Sequence, residues 1–139
     1  MISSAHVARI LGLRRIKSTT DLRRAVANGL PKRSLGTVTS YVADDAKEAA
    51  RLKADLIPPA TFKRRSRVLK PEEGERIERL ARVMALAEAA FGSPQDARRF
   101  LAAPHPELDG DRPIDAARTE LGARQIEEIL WRMEYGLPV

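Results

Sequence analysis

The sequence predicts an all-α fold. Proline and glycine recur at intervals that suit short helices joined by turns. After Pro71, apolar residues repeat at helical spacing over about six turns. Beyond residue 43, no segment alternates apolar and polar residues in the manner of a credible strand, so we expect no sheet there.

The first half of the chain predicts several short helices. A threonine pair at 19–20 can cap a helix that ends near Gly29. Residues 34–42 have the β-branched content of a strand, but we assign them to a helix because no partner strand lies nearby. Residues 45–56 alternate charges at helical spacing, and Pro59 can open the next helix.

The second half carries stronger helix signals. A long helix over 71–91 begins with proline and glutamates, which suit the positive end of a helix dipole, and a glycine closes it. A serine-capped helix follows and ends near Ala103. The stretch 104–113 is a loop by composition. A short helix from Pro113 and a final helix over about 122–135 then complete the prediction.

Charge is divided unevenly between the two halves. Residues 1–70 carry 16 lysines and arginines against 5 acids, a net charge of +11, whereas residues 71–139 carry 9 against 14, a net charge of −5. A basic half joined to an acidic half indicates two surfaces with different partners, the basic one suited to a polyanion. Two solvated surfaces without partners would also account for the charges.

Composition excludes several classes of protein. The chain has no cysteine, which rules out disulfides, thiolate metal sites and cysteine nucleophiles. His6 and His105 lack a second histidine at ligand spacing, and no glycine-rich phosphate loop or nucleophile elbow occurs. No apolar run approaches the ~20 residues that span a bilayer, and early arginines interrupt any signal peptide. We therefore expect a cytoplasmic protein that is not an enzyme, holds no metal or cofactor and contacts no membrane.

A basic segment in the middle of the chain suits DNA. Residues 56–71 contain no acid, and their short helix follows another helix across a tight turn, as in a helix-turn-helix. The residues expected to contact DNA are Thr61, Lys63, Arg64, Arg65, Arg67 and Lys70. An arginine fork donates two parallel hydrogen bonds to phosphates or guanine edges. The alternative is a solvated basic helix that binds nothing.

The final helix combines an apolar face with an aromatic one. Its expected core face comprises Ile126, Ile129, Leu130, Met133 and Leu137. Trp131 and Tyr135 lie on the other side, beside Arg124 and Glu128. An exposed aromatic pair beside charges is typical of a protein-binding hot spot. The alternative is a helix that is buried on both sides.

An ordered set of residues runs through the C-terminal half: Phe100, Leu101, Pro104, His105, Pro106, Leu108, Gly110, Pro113, Asp115, Thr119, Gly122, Ile126, Leu130, Tyr135, Gly136 and Leu137. This set resembles the toxin-binding domain of Xre/MbcA/ParS-type antitoxins, which neutralise RES-domain toxins in bacterial type II toxin–antitoxin pairs. Upstream, residues 61–65 resemble the end of that family's helix-turn-helix, and 69–80 the start of its long connecting helix. Lys70 at the helix cap and Gly74 in the first turns depart from the family pattern.

The resemblance implies a helix-turn-helix-like DNA-binding region over 1–68, joined by a long helix to a toxin-binding domain within 69–139. It implies a homodimeric antitoxin that represses its own operon by binding operator DNA. It also implies that this antitoxin caps the active site of a RES-domain toxin encoded next to it, an enzyme that consumes NAD or transfers ADP-ribose. The implied toxin-binding residues are Arg124, Glu128, Trp131, Tyr135, Gly136, Leu137, Pro138 and Val139. The main alternative is a stand-alone helix-turn-helix transcriptional repressor, and an adaptor that does not bind DNA is another.

Overall fold

The computed structural model describes residues 2–136, which form a succession of α-helices. They are α1 (Ser4–Ile10), α2 (Thr19–Asn28), α3 (Arg33–Val42), α4 (Ala46–Leu56), α5 (Pro59–Arg64), α6 (Pro71–Phe91), α7 (Pro94–Ala102), α8 (Pro113–Ala116) and α9 (Glu120–Glu134). A short 3-10 turn, Pro106–Leu108, lies in the loop before α8. Within residues 2–136 no strand forms, and an isolated antiparallel bridge joins Pro31 to Val68. The all-α prediction, including a helix over 34–42, is confirmed.

Side-chain caps fix where several helices begin. Ser18, and not the threonine pair, caps α2 by accepting a hydrogen bond from the N–H of Asp21 at 3.0 Å. Thr119 caps α9 by accepting from the N–H of Gly122 at 3.0 Å, so the final helix begins two residues before its predicted start. Residues 18–20 are all possible caps for α2, so the sequence alone leaves its first residue open by one or two positions.

The long helix α6 lies at the centre of the fold, as its pattern predicts. Ile77, Leu80, Met84 and Ala87 are buried, and Gly92 closes the helix in the left-handed conformation. Helices α1 to α4 contact α6 from the N-terminal half, and α7 and α9 contact it from the C-terminal half. Because α6 serves both halves and one apolar core runs through them, the division into 1–68 and 69–139 stays a prediction.

The first turn of α6 is tightly packed although a lysine occupies its cap position. Glu73 reaches back and accepts a hydrogen bond from the N–H of Lys70 at 2.8 Å. A Cβ on Gly74 would lie 3.3 Å from Cγ1 of Val26 and 3.4 Å from Cγ of Leu30. Glycine therefore lets α6 approach the end of α2 closely.

Gly122 allows a close contact between α8 and α9, which makes it a test of the fold. A Cβ there would lie 2.6 Å from the carbonyl carbon of Ala116 and overlap its oxygen. We predict that Gly122→Ala lowers the free energy of unfolding by about 1–3 kcal/mol, the range typical of overpacking. Urea unfolding followed by circular dichroism measures the loss.

Gly36→Ala in α3 is the matched control. A Cβ at Gly36 meets the flexible end of Lys53 at 3.5 Å, which can move aside. Alanine is favoured over glycine within a helix by up to about 1 kcal/mol, so this variant should be neutral or more stable. Equal losses in the two variants would contradict the close contact at Gly122.

Candidate functional site

Helices α4 and α5 form the predicted helix-turn-helix arrangement. The turn between them consists of Ile57, which is buried, and Pro58. The carbonyl of Pro58 accepts the N–H of Phe62 at 2.9 Å, which starts α5. None of the six residues of α5, all within the described part of the chain, is buried. This helix therefore lies on the surface, with Phe62 as the half-buried side chain that packs it against the core.

The basic segment presents most of its predicted DNA-contacting residues to solvent. Lys63, Arg64, Arg67 and Lys70 are exposed, and Thr61 is half-buried on α5. Thr61 is close to Arg64, whose guanidinium reaches its hydroxyl at 3.5 Å. The structure thus leaves these cations exposed on α5 and on the segment that joins α5 to α6.

Arg65 occupies a different position from its neighbours. Its Nε and Nη2 donate to the two carboxylate oxygens of Glu73, both at 2.9 Å, and the Glu73 side chain is only 4% exposed. The hydrogen bond from Arg65 lowers the pKa of Glu73. Lys32 donates to the carbonyl oxygen of Arg65 at 3.0 Å and lies over the ring of Phe62. Arg65 therefore supports the basic segment from within, and its contact with DNA stays a prediction.

Three further cations surround the same region. Lys32, Arg33 and Lys53 border a groove of about 420 Å³ between α3, α4 and α5, whose floor includes Leu35 and Ile57. The sequence reasoning missed these cations because they come from two other helices. The sequence did contain a sign that cations other than those of the basic segment could take part, because residues 22–43 form a second stretch without an acid.

The outer face of α9 carries the predicted aromatic pair. Trp131 is 55% exposed and Tyr135 is 59% exposed, and their ring centroids are 4.9 Å apart. Arg124 and Glu128 are exposed beside them, as is Gly136 after the helix. The prediction that both rings lie off the core is confirmed, and the alternative of a helix buried on both sides is wrong.

The inner face of α9 is the expected core stripe. Ile126, Ile129 and Leu130 are buried, and Met133 packs against them half-buried. Residues 137–139, which include the predicted toxin-binding residues Leu137, Pro138 and Val139, lie outside the described part of the chain.

Leu121 is a further exposed residue of α9 that the sequence reasoning missed. Its side chain is 70% exposed, and it lies almost four whole helical turns before Tyr135, on the same helix face. The late predicted start of the helix left Leu121 outside it. Recognition of Thr119 as the cap would have placed this leucine on the outer face.

The two histidines have structural partners. The Nε2 of His6 lies 2.8 Å from a carboxylate oxygen of Glu88, and Nδ1 of His105 accepts the N–H of Glu107 at 3.1 Å. Across residues 2–136, no group of three or more histidine and acidic side chains is placed to hold a metal ion. Over the same range, no helix is both long and apolar enough for a membrane span.

Comparison with known proteins assigns a domain to each of these two surfaces. Residues 21–82 match the antitoxin Xre-like helix-turn-helix domain, and residues 86–136 match the antitoxin Xre/MbcA/ParS C-terminal toxin-binding domain. Antitoxin Xre of Pseudomonas putida is 34% identical over 84 residues, which make up 58% of this chain and 53% of that protein. The match thus spans about half the length of this curated relative. The basic segment lies in the first matched region and the aromatic face of α9 in the second.

The Arg65–Glu73 pair yields a prediction about stability. Glu73→Gln removes the charge that Arg65 neutralises and should lower the free energy of unfolding at about pH 7. Because the folded protein holds the pKa of Glu73 below its ordinary value, the stabilisation is present above that value and is lost as the pH falls. Urea unfolding should therefore show that the free energies of unfolding of Glu73→Gln and the parent differ at neutral pH, and that this difference becomes smaller towards about pH 3.

Arg64→Ala serves as the control for this experiment, because Arg64 is the exposed neighbour of Arg65. It should change the free energy of unfolding by less than about 0.5 kcal/mol at either pH. A Glu73→Gln variant as stable as the parent at neutral pH would show that the pair does not anchor the segment.

Proposed function

This chain belongs to the family of Xre/MbcA/ParS-type antitoxins, and we propose that it is the antitoxin of a bacterial type II toxin–antitoxin pair. In this proposal its partner is a RES-domain toxin encoded next to it, which consumes NAD or transfers ADP-ribose. The antitoxin caps the active site of that toxin and, as a homodimer, represses its own operon. The exposed Trp131–Tyr135 pair within the matched toxin-binding domain is the observation that carries the proposal.

The outer face of α9 has the properties of a protein-binding surface. From Leu121 to Tyr135 it extends about 21 Å along the helix axis, at about 1.5 Å per residue. Large apolar side chains occur at both ends of this face, with Arg124 and Glu128 between them. Tryptophan and tyrosine bury large, rigid areas at small entropic cost. The two rings already contact each other, which lowers the cost of ordering them further when a partner binds.

The basic segment supports the DNA-binding part of the proposal. Exposed lysines and arginines contribute affinity through phosphates, because each contact releases counterions from the DNA. Thr61, Lys63 and Arg64 lie on the second helix of the helix-turn-helix, the helix that contacts base edges in this motif. A stand-alone repressor would use the same segment but would leave the aromatic face of α9 without a partner. That face therefore favours the antitoxin.

We predict that Trp131→Ala combined with Tyr135→Ala releases the toxin. Truncation of a hot-spot residue commonly costs about 2 kcal/mol or more, which raises the dissociation constant roughly thirtyfold. Calorimetric titration with the purified toxin measures this change, and growth after co-expression with the toxin tests its consequence. The variant should stay folded by circular dichroism because both rings are more than half exposed.

Gln125→Ala is the matched control, since Gln125 is exposed on the same helix and lies about 120° around the helix axis from Trp131. It should bind the toxin as the parent does. If the folded double variant still protects cells fully, the inhibitory surface lies elsewhere, and the loop over 104–113 is the next candidate.

We predict that Lys63→Ala combined with Arg64→Ala weakens operator binding and flattens its salt dependence. The exposed cations Lys63, Arg64, Arg67 and Lys70 should give a slope of log affinity against log salt of roughly −3.6 per protomer, at about −0.9 for each phosphate. The double variant should lose roughly half of that slope. Fluorescence anisotropy with a promoter fragment measures both quantities.

Arg99→Ala controls for a general loss of positive charge, because the Arg99 side chain is 80% exposed and lies on α7. Its salt slope should equal that of the parent. Unchanged operator affinity in the Lys63/Arg64 double variant would eliminate this segment as the DNA-binding element.

A further inference from the structure

A cluster of ion pairs joins the helix-turn-helix to the C-terminal half. Its members are Glu48, Arg51 and Asp55 on α4, and Arg112, Asp115 and Arg118 in and around α8. We call this set the α4–α8 cluster. Three ion pairs cross between the two groups, and in each the partners are more than 60 residues apart in the chain. They connect the matched DNA-binding domain to the matched toxin-binding domain.

The contacts across the α4–α8 cluster are short. Nη2 of Arg51 lies 3.1 Å from Oδ1 of Asp115, and Nη2 of Arg112 lies 3.0 Å from Oε1 of Glu48. Nη1 of Arg118 lies 3.4 Å from Oδ2 of Asp55. Arg51 also pairs with Glu48 and Asp55 within α4, at 2.6 and 2.7 Å. Five of the six charged side chains thus pair with at least two others. The sixth, Arg118, pairs with Asp55, which also pairs with Arg51.

A network of this kind differs from an isolated surface pair. Exposed single pairs contribute little, whereas several charges held together by good geometry contribute more. Five of the six side chains are between 21 and 38% exposed, so they are partly shielded from water. The hydrogen bond from Arg51 lowers the pKa of Glu48, which agrees with a carboxylate that stays charged in the network.

The position of α5 depends on that of α4. Helix α5 buries none of its own residues, and a turn of two residues separates it from the end of α4. The inner face of α4 is held by Leu52 and Leu56, and the carbonyl of Leu56 accepts a hydrogen bond from Arg76 of α6 at 2.8 Å. The outer face of α4 is held by the α4–α8 cluster. Any rotation of α4 that opens this cluster also moves α5.

We propose that the α4–α8 cluster holds the helix-turn-helix in a fixed orientation relative to the toxin-binding unit, and that Arg51 and Asp115 are positioning residues for operator binding. This inference rests on the proposed function only where operator affinity is measured. The cluster acts through α4, and the DNA contacts remain those of the basic segment. The orientation itself is a property of the free protein.

The orientation is tested first, without DNA or toxin. The chain contains no cysteine, so Ala60→Cys and Gln125→Cys, both at exposed positions, introduce two spin labels on α5 and α9. Double electron–electron resonance should give one narrow distance distribution in the otherwise unchanged chain. Arg51→Met or Asp115→Asn should broaden or shift it. Two variants on opposite sides of the cluster keep the test decisive if one of them fails to fold.

Operator affinity is tested second, in chains without the spin-label cysteines. Arg51→Met and Asp115→Asn should each weaken binding about fivefold, the factor that corresponds to roughly 1 kcal/mol. Their salt slope should stay that of the parent because the phosphate contacts are intact. The double variant should lose little more than either single variant, since both break the same contact. Arg51→Lys should recover part of the loss.

Arg82→Met is the matched control. Arg82 pairs with Glu127 and so joins α6 to α9 without touching α4 or any member of the α4–α8 cluster. It should leave both the distance distribution and the operator affinity unchanged. An unchanged distance distribution in Arg51→Met and Asp115→Asn would overturn the proposal, even if operator affinity fell. A protein without operator affinity would refute the DNA-binding function, while the distance measurement still decides the orientation.

Discussion

The second half of α6 is apolar on nearly every side, and such a helix is stable in water only when other helices cover it all round. The covering helices come from both directions along the chain, with α1 to α3 on the N-terminal side and α7 and α9 on the C-terminal side. Burial of Ile77, Met84 and their neighbours therefore brings the two halves together into one core. The two predicted binding surfaces lie on the outside of this covering layer.

The two surfaces are held in different ways. Helix α9 buries Ile126 and Ile129 against the core, so the opposite face is presented rigidly and can carry Trp131 and Tyr135 in solvent. Helix α5 has no buried residue of its own. The half-buried ring of Phe62 packs against the core, and hydrogen bonds and an ion pair of Arg65, the residue that follows α5, hold its C-terminal end. Apolar burial holds the outer face of α9 in place, whereas the basic segment depends more on charged contacts. Charge pairs are more sensitive to salt and pH than apolar burial is, so the basic segment should be the more easily displaced of the two.

The sequence was sufficient to predict a helix wherever apolar residues repeat at helical spacing over several turns. The long helix, its closing glycine and the exposed side of α9 follow from spacing alone. The seven-residue helix α1 was not predicted, because two turns give too few positions to show a period. Arg65 was grouped with the exposed cations because its pairing with Glu73 depends on how the chain turns between α5 and α6. The α4–α8 cluster was missed for the same reason, since within α4 its charges look like ordinary pairs three and four residues apart.

Glu88 shows how the fold accommodates a charge in its most apolar helix. Its carboxylate accepts a hydrogen bond from the phenol of Tyr41 on α3 and lies 2.8 Å from the imidazole of His6 on α1. Burial and the hydrogen bond to Glu88 raise the pKa of Tyr41 to about 12, so the phenol stays protonated and remains a donor. Arg98 of α7 donates to the carbonyl oxygen of the same tyrosine at 2.7 Å. A leucine at position 88 would need no hydrogen-bond donor and could pack against any apolar helix. A carboxylate, in contrast, requires hydrogen-bond donors at defined positions. The one acid in this half of α6 therefore helps to fix which helices cover it and in what register.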